Sequence, residues 1–129
     1  MQEMQSFEYA IIRLVPQVER EEFLNVGVIL YCHPVKFLGM KFTLNDHRLL
    51  TAFPAADIRE VQLHLEAFEQ ICMADQKAGP IASLDMPSRF RWLTAKRSTI
   101  VQTSAVHPGL CLEPADTLIK LHRQLVLSE

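Results

Sequence analysis

FEYAIIRLVPQVEREEFLNVGVILYC, residues Phe7–Cys32, is the stretch on which the fold turns. Its opening, Phe7–Val15, is rich in aromatic and β-branched residues and stops at Pro16, which predicts a strand. Gln17–Glu22 is charged and predicts a connecting loop, and Leu24–Cys32 predicts a second strand closed by His33-Pro34. Strand side chains alternate between faces, so Ala10, Ile12 and Leu14 share one side while Tyr9, Ile11, Arg13 and Val15 share the other. On the second strand Leu24, Val26, Val28 and Leu30 form a wholly apolar set, and Asn25, Gly27, Ile29 and Tyr31 a mixed one. The two wholly apolar sets are expected to face the core. That puts Arg13 and Asn25 on the outer face, close to opposite one another across the hairpin. Tyr9, Ile11, Ile29 and Tyr31 on the same face are too apolar to stand bare, so a helix, a second copy of the chain or a ligand is expected to cover them.

Working outward, Lys36–Thr43 predicts a third strand and completes a meander. Asn45-Asp46 can cap a short helical turn through Leu49 and Leu50. Ile58, Val61, Leu65, Phe68 and Cys72 recur at three- and four-residue intervals and predict a helix over about Asp57–Ala74. A further helix is expected over Ser88–Lys96 with Ser88 as its cap, then a strand over Thr99–Thr103. A last helix is expected over Pro114–Leu127, with Leu118, Leu121 and Leu125 as its buried stripe. The expected fold is therefore α+β: a small antiparallel sheet, a three-strand meander plus a fourth strand, with helices packed mainly on one face in the order β-β-β-α-α-β-α.

The chain has 129 residues, which suits a single domain over 1–129 with a flexible stretch at 1–6. With 49% hydrophobic and 22% charged residues it has the composition of a folded globular protein rather than a disordered one. A formal net charge of −2 gives no global attraction to nucleic acid or to an anionic membrane. Cys32, Cys72 and Cys111 are odd in number and widely spaced, as expected of free thiols in a reducing cytoplasm. MQEMQSF at the start has no basic leader or apolar run, and no stretch approaches the ~20 apolar residues of a membrane span.

Two segments resemble a known family. YAIIRLVPQVEREEFLNVGVIL, Tyr9–Leu30, is similar to the opening of a bacterial family known as domain of unknown function 3037. RFRWLTAKRSTIVQTSAVHPG, Arg89–Gly109, is similar to that family's second block, and a proline-plus-leucine helix follows it. With the helix between them the resemblance covers nearly the whole chain. Its matching polar positions are Arg13, Arg20, Glu22, Asn25 and Gly27 in the first block, and Arg89, Arg97, Ser98 and Gln102 in the second. The resemblance implies no particular activity or catalytic residue. Genes of such proteins often neighbour a HipA-like kinase gene, so it does imply a kinase-associated partner.

These residues support three function classes. The first is an interaction or regulatory module acting through Tyr9, Ile11, Ile29 and Tyr31, with a second copy of the chain or a HipA-like kinase as its partner. The second is an enzyme or a phosphate- or nucleotide-binding protein built on Arg13, Arg20, Glu22 and Asn25, where a guanidinium fork suits phosphate or carboxylate. In that reading Gly27 permits a close backbone approach or a bulge. The third is nucleic-acid binding through Arg89, Arg91, Lys96 and Arg97 with Trp92, which ranks last because the whole chain is close to neutral. No phosphate loop, nucleophile elbow, HExxH or dinucleotide fingerprint is present, so the balance leans away from an enzyme. Cys32-His33 and His107 with Cys111 lack the usual zinc spacing, and neither a metal nor a cofactor is expected.

Overall fold

The computed structural model describes residues 3–127. Five strands and four α-helices follow in the order β1 (Gln5–Leu14), β2 (Leu24–Cys32), β3 (Phe37–Phe42), α1 (Asp46–Ala52), α2 (Ile58–Cys72), α3 (Met86–Thr94), β4 (Val101–Thr103), β5 (His107–Cys111) and α4 (Pro114–Leu125). All pairings are antiparallel, in the order β3-β2-β1-β4, with β5 pairing the other end of β1. The fold is the expected α+β sheet, with one strand (β5) and one short helix (α1) more than the expected order β-β-β-α-α-β-α. Gln5 and Ser6, expected to lie in a flexible stretch, are instead the first residues of β1 and pair with Cys111 and Leu110. Met1 and Gln2 lie outside the described residues.

Local chemistry accounts for the helix starts. Asn45, Asp57 and Asp85 each accept a hydrogen bond from the backbone N–H three residues on, closing the first turns of α1, α2 and α3. Ser88 is therefore not the cap of its helix. It sits one turn inside, and its N–H is the group that Asp85 receives.

The sheet is covered on both faces. Ala10, Ile12, Leu14, Val26, Ile29 and Tyr31 pack with Leu49 of α1, Val61, Leu65 and Phe68 of α2, and Phe90 and Leu93 of α3. Phe7, Val28, Leu30 and Cys32 pack on the other side with Cys111 and with Leu118 of α4. Three helices thus lie on one face and α4 lies on the other.

A bulge in the hairpin changes the expected face assignment. Ile12 pairs with Gly27 and Arg13 with Asn25, so Val26 has no residue of β1 opposite it. One extra residue reverses side-chain parity along the rest of β2. Val26 accordingly enters the α2–α3 core while Val28 enters the α4 core. Gly27 allows this bend: a Cβ there would meet Lys41 O and Phe42 Cβ, both backbone-anchored, at 2.8 Å.

Beneath α4, His122 is almost fully buried, and its Nε2 lies 2.9 Å from Thr43 Oγ1. Burial, helped by the nearby Lys41 ammonium, holds the His122 pKa below its ordinary value. The unfolded chain therefore takes up this proton first as pH falls, and stability present above the unfolded pKa near 6.5 is lost below it. The urea midpoint is expected to decline as pH falls below about 6.5, and His122→Gln is expected to flatten that decline. Identical pH profiles for the two proteins would show that His122 does not carry the effect.

Candidate functional site

Strand pairing sets a row of three polar side chains across the sheet. Arg13 of β1 lies opposite Asn25 of β2 on one side and Gln102 of β4 on the other. Directly paired residues of an antiparallel sheet project to the same face, so the three are neighbours. The bulge makes this possible, because it returns Asn25 to the face of Arg13 after the parity of Val28 and Leu30 has been reversed.

Arg13 is half-buried and is set in place without a carboxylate. Its guanidinium carbon stands 4.1 Å from the centre of the Phe23 ring, a cation–π contact. Its Nε is buried and donates to nothing among the described residues, and Asn25 Oδ1 is buried and accepts nothing. An unmet buried polar group costs about 1–3 kcal/mol, so neither arrangement is explained by stability.

Arg13 lines a cleft of about 470 Å³ at the β4 end of the sheet. Val15, Val18 and Phe23 provide apolar wall, and Lys96, Arg97, Ser98 and Gln102 provide polar wall. Glu21, in a left-handed backbone conformation at φ 58°, brings the cleft's one carboxylate. No residue of α4 lines this cleft. Arg97 stacks over Trp92 at 4.3 Å and donates from Nη2 to the Trp92 carbonyl. Burial lowers its pKa, meaning that the surroundings tax its charge. Gln102 donates from Nε2 to Thr99 O at 2.8 Å and ties the Ala95–Ile100 loop to β4.

The remaining expected residues lie elsewhere. Arg20 and Glu22 form an exposed ion pair with each other and line a separate cleft of about 310 Å³ beside Phe53 and Pro54. They do not join Arg13 and Asn25. Arg89 donates from Nη1 to Leu84 O at 2.7 Å and stays outside the main cleft. Arg91 forms a two-pronged bridge to Glu8, both contacts at 2.8 Å, and so clamps α3 to β1. The basic run Arg89–Arg97 is thus divided among a loop carbonyl, a β1 carboxylate and the cleft. Gly27 serves the bulge and lines no part of the cleft.

The expected outer patch needs the largest correction. Ile29 and Tyr31 are buried at 0% and 5% exposure in the α2–α3 core, while Tyr9 borders the α4 core on the opposite side. Ile11 has the parity of Tyr9, so the four residues do not form one surface. The bulge at Val26 is the cause. Tyr31 instead stacks on Phe90 and shares a 2.6 Å hydrogen bond with His33 Nδ1.

Phe23, Glu21 and Ser104 were not singled out from the sequence. Phe23 had a signal, a lone aromatic closing an acidic loop next to a strand. Ser104 had none: buried between β4 and β5, its Oγ accepts the Ile11 N–H at 2.8 Å where neither strand supplies an acceptor.

Cys32, Cys72 and Cys111 are buried free thiols, and burial pushes the Cys72 pKa up to about 12, leaving it protonated and unreactive. Among the described residues no group of three or more His, Cys, Asp or Glu side chains is placed to hold a metal ion. No helix among them is long and apolar enough to cross a membrane.

Sheet, helices and cleft together define an α+β domain with three cationic side chains gathered at one sheet edge. The chain belongs to the family described as Protein of unknown function (DUF3037), whose model matches residues 9–126. No curated protein and no solved structure matches it.

Proposed function

We propose that this chain is a binding module that takes an anionic group, phosphate or carboxylate, in the cleft formed by Arg13, Lys96 and Arg97. The observation that supports it most is Arg13 itself. Arg20 and Arg91 are each ion-paired, whereas Arg13 is held on Phe23 with its Nε buried and its charge unanswered. A guanidinium held in this way is preorganised for a two-oxygen acceptor and loses little freedom when one binds.

This reading keeps the ligand chemistry of the second function class and the module character of the first. A protein partner, including the HipA-like kinase that the resemblance implies, would meet the chain at the cleft rim rather than at Ile29 and Tyr31, which the core withholds. A second copy of the chain would face the same constraint.

The test is titration calorimetry of the whole chain with phenyl phosphate and with benzoate. At least one is expected to bind, and Arg13→Ala is expected to weaken it by about 10- to 100-fold, the equivalent of one charged hydrogen-bonding group. Arg13→Lys is expected to fall between, because an ammonium keeps the charge and loses the fork. Circular dichroism should show both variants folded, since Arg13 supports no buried ion pair. If neither anion binds the unaltered chain, the proposal is wrong.

A further inference from the structure

We infer that the anion taken by this cleft is a phosphate monoester, seated on the Lys96–Thr99 loop with its organic part against Phe23; the inference rests on the anion-binding reading above.

The loop between α3 and β4 carries the argument. Ala95 N–H closes α3 by donating to Trp92 O, and the next ordered backbone contact on this side is Ile100 O accepting from Val15 N–H. Between them, the backbone N–H groups of Lys96, Arg97, Ser98 and Thr99 donate to no backbone acceptor among the described residues. The two neighbouring hydroxyls are used differently. Thr99 Oγ1 donates to Val101 O at 2.8 Å and so braces the loop, while Ser98 lines the cleft and its hydroxyl has no such engagement. Of these residues Lys96, Arg97 and Ser98 line the cleft, so its wall combines two cations with a hydroxyl and with amides that have no backbone acceptor among the described residues, donors of the kind phosphate oxygens take.

Charge and shape separate phosphate from carboxylate. A carboxylate has two oxygens and one negative charge, and Arg13 alone would satisfy it. Here Arg13, Lys96 and Arg97 surround the cleft against Glu21, an excess matching a monoester, which carries about −1.5 to −2 near neutral pH and three acceptor oxygens. Arg97 is already partly desolvated, so a dianion would offset a cost the protein already bears. Phe23 is 47% exposed, with Arg13 against its ring, which leaves apolar surface beside the charged wall for an organic group.

The experiment compares phenyl phosphate, inorganic phosphate and benzoate by titration calorimetry on the full chain, its Ser98→Ala variant and its Phe23→Ala variant. Phenyl phosphate is expected to bind about tenfold or more tighter than benzoate, as befits a second charge and a third oxygen. Ser98→Ala is expected to weaken phenyl phosphate several-fold and leave benzoate unchanged. Phe23→Ala is expected to bring phenyl phosphate close to inorganic phosphate. Both changes lie on the surface, and circular dichroism of each variant is the control for folding. Equal or tighter binding of benzoate would overturn the phosphate inference while leaving the anion-binding reading in place. Unchanged phenyl phosphate affinity in the Ser98→Ala variant would overturn the loop's part, and in the Phe23→Ala variant the ring's part. Failure of all three anions to bind the unaltered chain would overturn both readings.

Discussion

Ile29→Lys is expected to unfold the chain. Ile29 is 0% exposed, pairs with Ala10 on β1 and Met40 on β3, and lies under the helices of the larger core. A lysine there would bury an ammonium with no partner, or lose its proton to avoid doing so, at an effective cost of several kcal/mol. A domain of this kind has only about 5–15 kcal/mol in hand. The prediction opposes what strand parity alone suggests, since an outward Ile29 would tolerate lysine and lose only an association. Far-ultraviolet circular dichroism and urea titration separate the two. A folded variant with an unchanged urea midpoint would show that Ile29 is not in the core.

Phe90→Ala is expected to cost about 3–5 kcal/mol, the usual range for removing a buried aromatic from a packed interior. Phe90 is 0% exposed, and its ring centre stands 5.2 Å from that of Tyr31 at 34°. It is the deepest point of α3, the helix whose C-terminal end delivers Lys96, Arg97 and Ser98 to the cleft. The urea midpoint should fall with little change in slope, the mark of lost stability rather than of an altered unfolded state. A loss below about 1 kcal/mol would mean that α3 does not depend on this contact.

The comparison with the sequence turns on a few residues. The meander and the long helix were readable because Phe7–Val15, Leu24–Cys32 and Ile58–Cys72 carry strong propensities and clear periodicity. β5 was missed because HPGLC contains a proline and a glycine, both poor strand formers, and owes its pairing to β1 rather than to its own residues. Arg13 and Asn25 were placed together correctly, yet by a parity argument that failed for Ile29 and Tyr31. The difference is the bulge at Val26, beside which Gly27 lies too close to β3 for a Cβ, a contact between strands that no single strand announces. Arg97, Ser98 and Gln102 were visible as the polar positions of a second block. Their meeting with Arg13 comes from the pairing of β4 with β1, and alternation within either segment does not reveal it.

The position of β1 also shapes how the chain is made. β1 is flanked by β2, which follows it directly, and on its other edge by β4 and β5, which end at Cys111. During synthesis the first hairpin must wait for most of the chain before that second edge gains its partners. At ribosomal rates of about 5–20 residues per second this is roughly 4–16 seconds with an open strand edge. Such an edge can pair with another nascent chain. Slow translation between β3 and β4 would lengthen that window, which makes yield in a cell sensitive to elongation speed even if the finished protein is stable.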